Sequence, residues 1–200
     1  LVKKYILIAG VNGAGKSTML NMIAGVYPVD SGKIMIDGQD VTKLPEFKRA
    51  KFLGRVFQDP MNGTAADMLI FENLALASRR GKFRTLAPGV SKKEKAGYID
   101  LLKSLDLGLE TRLTSKVGLL SGGQRQAITL LMATLKKPKL LLLDEHTAAL
   151  DPKTAHKVLE LTTQIVEKDN LTTIMITHNM KDALAIGNRL IMMNEGKIIY

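Results

Sequence analysis

Short apolar runs alternate along the chain with longer stretches whose apolar positions recur every three or four residues. Lys4–Ala9, Leu53–Phe57, Lys139–Leu143, Thr172–Thr177 and Arg189–Met193 read as strands. Leu140–Leu143 is apolar at every position, the pattern of a central strand covered on both faces. Helices are predicted to begin near Lys16, Ser121, Pro152 and Asn179. After Pro152, the residues Val158, Leu161, Thr162 and Ile165 share one helical face, while Lys153, Lys157, Glu160 and Lys168 fall mostly elsewhere. Strands alternating with helices predict an α/β fold with a mostly parallel sheet flanked by helices.

Three stretches depart from that alternation. Ser31–Gly38 and Gly196–Tyr200 each read as a strand bounded by turns, and both are expected as antiparallel additions at the edge of the core. Residues 66–117 read as a helical insert, in which Tyr98, Leu101, Leu102 and Leu105 keep helical spacing. A basic loop from Arg79 to Lys95 is expected to be solvated between the helices of that insert. The expected organisation is one domain over 1–200: a core of 1–65 and 118–200, and a helical subdomain of 66–117.

Composition narrows the chemistry. The 200 residues suffice for one domain with a sizeable core. Twenty-nine basic against nineteen acidic residues give a formal charge of +10, which points to anionic partners such as nucleotide, nucleic acid or an anionic membrane surface. With no cysteine, disulfides, thiol catalysis and zinc–thiolate sites are excluded. No apolar run approaches the ~18–20 residues that span a bilayer, so any membrane link is expected to come through a partner. The opening residues run straight into a motif and lack the layout of a signal peptide.

That motif is Gly10-Val11-Asn12-Gly13-Ala14-Gly15-Lys16-Ser17-Thr18, a full match to G-x-x-x-x-G-K-[ST] placed between a strand-like and a helix-like segment. Its glycines allow successive backbone N–H groups to surround phosphate oxygens, and the helix start adds partial positive charge. Lys16 would reach the β- and γ-phosphates, and the Ser17 hydroxyl would ligate Mg²⁺. By itself the loop signifies nucleotide phosphate binding and does not separate a kinase, a GTPase, a motor and a transporter ATPase. Asp144-Glu145 follow the apolar run 140–143, at the end of a strand where open α/β sheets bind ligands. Asp144 is suited to hold Mg²⁺ and Glu145 to polarise an attacking water, a contribution of ~10²–10⁴ in rate.

Leu120-Ser121-Gly122-Gly123-Gln124 discriminates among those classes. This string resembles the signature motif of the ATP-binding-cassette (ABC) family, and Ser121 is also a plausible helix N-cap. The resemblance extends over essentially the whole chain. Gln58, in Val56-Phe57-Gln58-Asp59-Pro60, matches the family's Q-loop glutamine, which attends to Mg²⁺ and the attacking water. Asp151, in Ala149-Leu150-Asp151, matches the D-loop that crosses a dimer interface. His178, in Ile176-Thr177-His178-Asn179, matches the switch histidine that contacts the γ-phosphate. His146 and His156 match no such element. The stretch from Asp144 to Ala155, with Thr177–Met180 and Asn188–Met193, resembles most closely the ATPases of tryptophan/tyrosine-type bacterial importers. His146 stands where the wider family commonly has proline.

The resemblance implies an ATP- and Mg²⁺-dependent ATPase at the cytoplasmic face of the membrane. Its sites would be shared between two subunits, each ATP lying between the Walker A residues Gly10, Asn12, Gly13, Ala14, Gly15, Lys16, Ser17 and Thr18 of one and the signature Ser121, Gly122, Gly123 and Gln124 of the other. Implied partners are a second ATP-binding subunit, permease subunits docking near residues 58–72, and indirectly a solute-binding protein, with no direct nucleic acid expected. The family's adenine-stacking aromatic comes from upstream of the Walker A strand. Only nine residues precede Gly10, so that aromatic is expected before Leu1, and the strand-like end at Tyr200 also reads as cut short. Tyr5 is expected in the core. Two other readings stay open on the residues: an ABC ATPase of translation or nucleic-acid metabolism, and a P-loop small-molecule kinase, in which LSGGQ, Gln58 and His178 would have no role.

Overall fold

The computed structural model describes residues 5–81, 90–178 and 186–200. Five strands form the parallel part of one sheet: β1 (Tyr5–Ala9), β4 (Leu53–Val56), β5 (Leu140–Asp144), β6 (Thr173–Ile176) and β7 (Arg189–Asn194). A short β8 (Lys197–Ile198) closes antiparallel on β7, giving the order β4-β5-β6-β1-β7-β8. Each expected parallel strand is present, with no end among the described residues displaced by more than one residue. The register sets Met175 between Leu7 and Leu143, and Ile8 beside Ile176.

Side chains alternate across a strand, and the sheet therefore feeds two cores. Leu7, Leu141, Leu143 and Met175 pack on one face with Leu74, Leu102, Ile128 and Leu161. Ile8, Leu142, Ile176 and Met193 pack on the other with Leu20, Ala24, Val41 and Phe52. On that second face lies α1 (Lys16–Ala24). The first face carries α3 (Ile70–Ser78), α4 (Lys92–Lys103), α5 (Gly122–Thr134) and α6 (Pro152–Asp169). The helix expected near Asn179 lies outside the described residues. Tyr5 is buried as expected, and burial raises its phenol pKa well above the ordinary value.

Two expectations need correction. Ser31–Gly38 does not extend the main sheet. Met35–Ile36 (β2) pairs only with Gln39–Asp40 (β3), as a separate two-stranded hairpin. Asp37 and Gly38 both adopt positive φ, 50° and 75°, the geometry of a tight type I′ turn, which folds the segment back on itself. The basic stretch 79–95 is not one solvated loop. Ser91 caps α4 by accepting from the Glu94 N–H at 3.2 Å, and the Glu94 carboxylate accepts from the Ser91 N–H at 2.7 Å, so Lys92–Lys95 form the first helical turn. Arg79 ends α3, and half-buried Arg80 donates to the Ala133 carbonyl at 3.1 Å.

Buried Arg49, at the end of α2 (Glu46–Arg49), had no sequence signature. Its guanidinium donates to the carbonyls of Met22 and Ile23 in α1, and to those of Leu44 and Thr42, at 2.7–2.9 Å. It satisfies the carboxyl end of α1, where orphan carbonyls gather.

Candidate active site

The phosphate loop is a rigid turn between β1 and α1. Gly15 caps α1 with φ +92°, a conformation that costs a residue with a Cβ. No side chain caps this helix start. Within the loop the Ala14 N–H reaches the Val11 carbonyl at 3.2 Å, and the Gly196 N–H from the β7–β8 turn braces the Ala14 carbonyl at 3.1 Å. Lys16 is buried, with its Nζ donating to the Gly10 and Val11 carbonyls at 2.7 and 2.9 Å. The ammonium is therefore held over the mouth of the turn by groups that a more strongly accepting anion could replace. Asn12 to Thr18 line, with Glu145, a half-open cavity of about 190 Å³.

Across this cavity lies the end of β5. Ser17 Oγ donates to Asp144 Oδ1 at 3.3 Å, so a hydroxyl and a carboxylate, both hard oxygen donors, converge from residues far apart in sequence. That pair suits Mg²⁺, which is commonly held by one or two protein oxygens with the rest from phosphate and water. Glu145 leaves the strand in a left-handed conformation, φ +47°, uncommon for a residue with a side chain. Its side chain is 13% exposed, and Oε1 meets His178 Nε2 at 2.6 Å. Its N–H is held by the Ile176 carbonyl at 3.1 Å. The loop, the acidic pair and His178 are thus brought together by three parallel strands.

Gln58 is exposed just beyond β4, the strand beside β5. It does not line the 190 Å³ cavity. The preceding Phe57 carbonyl is fixed by Gln126 Nε2 of α5 at 3.1 Å. Arg55 on β4 was not anticipated. Its Nη2 lies 4.0 Å from Asp144 Oδ2 and donates to Asn21 Oδ1 at 2.7 Å, with the guanidinium over the Phe57 ring. The one available signal was a basic residue inside an otherwise apolar strand.

The signature segment stands apart. Ser121 N-caps α5, its Oγ accepting from the Gln124 N–H while Gln124 Oε1 accepts from the Ser121 N–H, both at 3.3 Å. Ser121 and Gly122 are exposed, and Gly123 is buried where a Cβ would collide with the Thr154 methyl. Arg125 fastens the turn before the helix by donating to the Gly118 carbonyl at 2.9 Å. Asp151, exposed, N-caps α6 through the Thr154 N–H, and hydrogen bonding from the Thr154 side chain and N–H lowers its carboxyl pKa. Among the described residues no hydrogen bond or ion pair joins Ser121–Gln124 or Asp151 to the phosphate loop.

Residues 3–148 match the family model described as ABC transporter. The chain belongs to the ABC transporter family. It is 48% identical over 197 residues to a tyrosine transport ATP-binding protein of Clostridioides difficile, covering 98% of this chain and 78% of that one. It is 33% identical over 195 residues to the spermidine/putrescine import ATP-binding protein PotA of Haemophilus influenzae, and spans about half, 49%, of that relative's length. Among solved structures it superposes with a TM-score of 0.81 on the ATP-binding cassette MJ0796, a dimeric post-hydrolysis state bound to ADP and Pi. Identity there is 29%, with 99% of this chain and 84% of that one covered. The same TM-score is found with cbiO1 of Clostridium perfringens, part of the cbiONQ complex, at 25% identity and covering 99% and 76%. As an ABC cassette the chain binds and hydrolyses ATP. No helix among the described residues is long and apolar enough to cross a membrane.

Proposed function

We propose that this ABC ATPase powers uptake of an amino-acid-type solute, acting as one of two like subunits docked on a membrane permease at the cytoplasmic face. The observation that carries its chemistry is that Ser17 and Glu145, which line one cavity, are met by Asp144 at 3.3 Å and by His178 at 2.6 Å respectively. The uptake reading is supported by 48% identity to a tyrosine transport protein and by the importer relative.

In this reading Gly10, Asn12, Gly13, Ala14, Gly15 and Thr18 offer backbone and side-chain donors to the phosphates. Lys16 exchanges its two carbonyl partners for phosphate oxygens. Ser17 and Asp144 hold Mg²⁺, with Gln58 turning in from the end of β4 once nucleotide is present. Mg²⁺, when bound there, would supply positive charge that offsets that of the phosphates. Glu145 accepts a proton from the attacking water, and His178, hydrogen-bonded to it, steadies the transferred phosphoryl group. Ser121, Gly122, Gly123 and Gln124 of a second subunit close the site, with Asp151 crossing between subunits.

The permease is assigned to a groove of about 460 Å³ beside α3 and α5. Phe47, Arg55, Phe57, Leu76, Arg79 and Arg80 line it together with Asn62 and Gly63 from the expected docking stretch. A solute-binding protein would complete an uptake system. Glu145→Gln should lower ATP turnover of the full-length subunit by roughly 10²–10⁴-fold while leaving ATP binding intact. Turnover near the unmodified rate would remove Glu145 as the base. Radiolabelled tyrosine or tryptophan uptake by the subunit with its own permease tests the solute class.

A further inference from the structure

His146 follows Glu145 directly, yet it does not enter the cavity. It is 1% exposed, and its Nε2 lies 3.0 Å from Thr162 Oγ1 on α6. Thr162 gives its one hydroxyl proton to the Val158 carbonyl, one turn earlier, at 2.8 Å. The hydroxyl has only lone pairs left to offer, so Nε2 must carry the proton and donate. Burial disfavours the charged ring and lowers its pKa to about 4, so the neutral tautomer with its proton on Nε2 fits this contact.

The neighbouring backbone explains what such an anchor accomplishes. Glu145 sits at φ +47°, a strained conformation that persists where the surroundings over-determine it. One restraint is its N–H on the Ile176 carbonyl at 3.1 Å, and another is its carbonyl accepting from the Ala148 N–H at 2.9 Å. Both act through the main chain and leave the direction of the turn dependent on the next side chain. His146 supplies that third restraint, tying the turn to the middle of α6, whose N-cap is Asp151.

We propose that His146 is a positioning residue that, through its hydrogen bond to Thr162, holds the left-handed turn aiming Glu145 into the phosphate cavity. The inference rests on Glu145 acting as the base. Its consequence is kinetic: loosening the turn misplaces the carboxylate without touching the groups that bind nucleotide, and small misplacements of a catalytic group cost up to ~10²-fold in rate.

The test uses the full-length subunit with its transporter. His146→Leu fills the space without a donor, Thr162→Val removes the acceptor, and His146→Gln restores a donor at nearly the Nε2 position. His146→Leu and Thr162→Val should each lower kcat by about 10-fold or more, with the ATP dissociation constant unchanged within roughly 2-fold, and His146→Gln should recover most of the rate. Combining His146→Leu with Glu145→Gln should give no further loss beyond Glu145→Gln alone. Wild-type kcat in His146→Leu, or parallel loss of ATP affinity, melting temperature and kcat that glutamine does not rescue, overturns the inference. Retained turnover in Glu145→Gln alone overturns instead the base assignment beneath it.

Discussion

The two helix starts proposed above to meet phosphate, those of α1 and α5, are finished in opposite ways. At α1 no side chain caps the helix, Gly15 carries a positive φ, and Lys16 is folded inward on two carbonyls beside a half-open cavity. At α5 the end is closed by the reciprocal Ser121–Gln124 bonds and faces solvent. The first start has donors to spare and walls to hold a ligand. The second ties up two of its N–H groups, those of Ser121 and Gln124, and has no wall of its own. A capped, exposed helix end of this kind can take part in binding only if another surface supplies the rest of the enclosure, which is why the α5 end makes physical sense as one half of a site.

The most damaging way to break the contrast is at the uncapped end. Lys16→Ala should reduce ATP turnover by roughly 10²–10³-fold and weaken ATP binding by the isolated subunit, because it removes a charge aimed at the phosphates. Ser121→Ala should leave ATP binding by the isolated subunit unchanged while lowering turnover in the assembled transporter by about 10-fold or more, and should cost about 1 kcal/mol of stability as a lost cap. Titration with a fluorescent nucleotide, set beside phosphate release, separates the two patterns. Equal loss of binding from both substitutions would erase the distinction.

A smaller effect comes from the packing beneath the capped end. Gly123→Ala would drive a methyl into Thr154 Cγ2 and should destabilise the fold by about 1–3 kcal/mol. Thr154→Ser, which deletes the obstructing methyl, should recover much of it in thermal unfolding. A broader effect, of comparable size, is one of pH. His146 is neutral in the fold with its pKa lowered from 6.5 to about 4, so the unfolded chain binds the proton first as pH falls. Stability is therefore full above about pH 6.5 and declines as pH drops from there toward 4, by at most about 3 kcal/mol from this group. Denaturant melts at pH 7 and pH 5 should show that decline shrink in His146→Gln.

Much of the fold could be read from the chain because its signals are local. The run Leu140–Leu143 is apolar throughout since both faces of β5 are covered, and α6 shows its buried stripe through Val158, Leu161 and Thr162. The residues now gathered around the cavity were each visible as a motif, but their convergence was not. Strand order depends on pairings between segments more than a hundred residues apart, such as Leu7 with Met175, and no short window contains them. The strand at Met35–Ile36 is legible as antiparallel, but its partner is not, because two-residue strands carry too little pattern to reveal what they pair with. Arg49, Arg55 and His146 escaped for a related reason. Their importance lies in what they touch, and a charged or titratable residue reads alike in sequence whether it faces water or four carbonyls.

The sheet order also bears on how the chain is made. β1 is the earliest described strand, yet its neighbours on both sides, β6 and β7, come from residues 173–194. During synthesis Tyr5–Ala9 must wait, with both edges bare, until nearly the whole domain has left the ribosome. Neighbouring chains on a polysome could pair with those edges in the interval, so an intermediate ending before Thr173 is where a chaperone has most to shield.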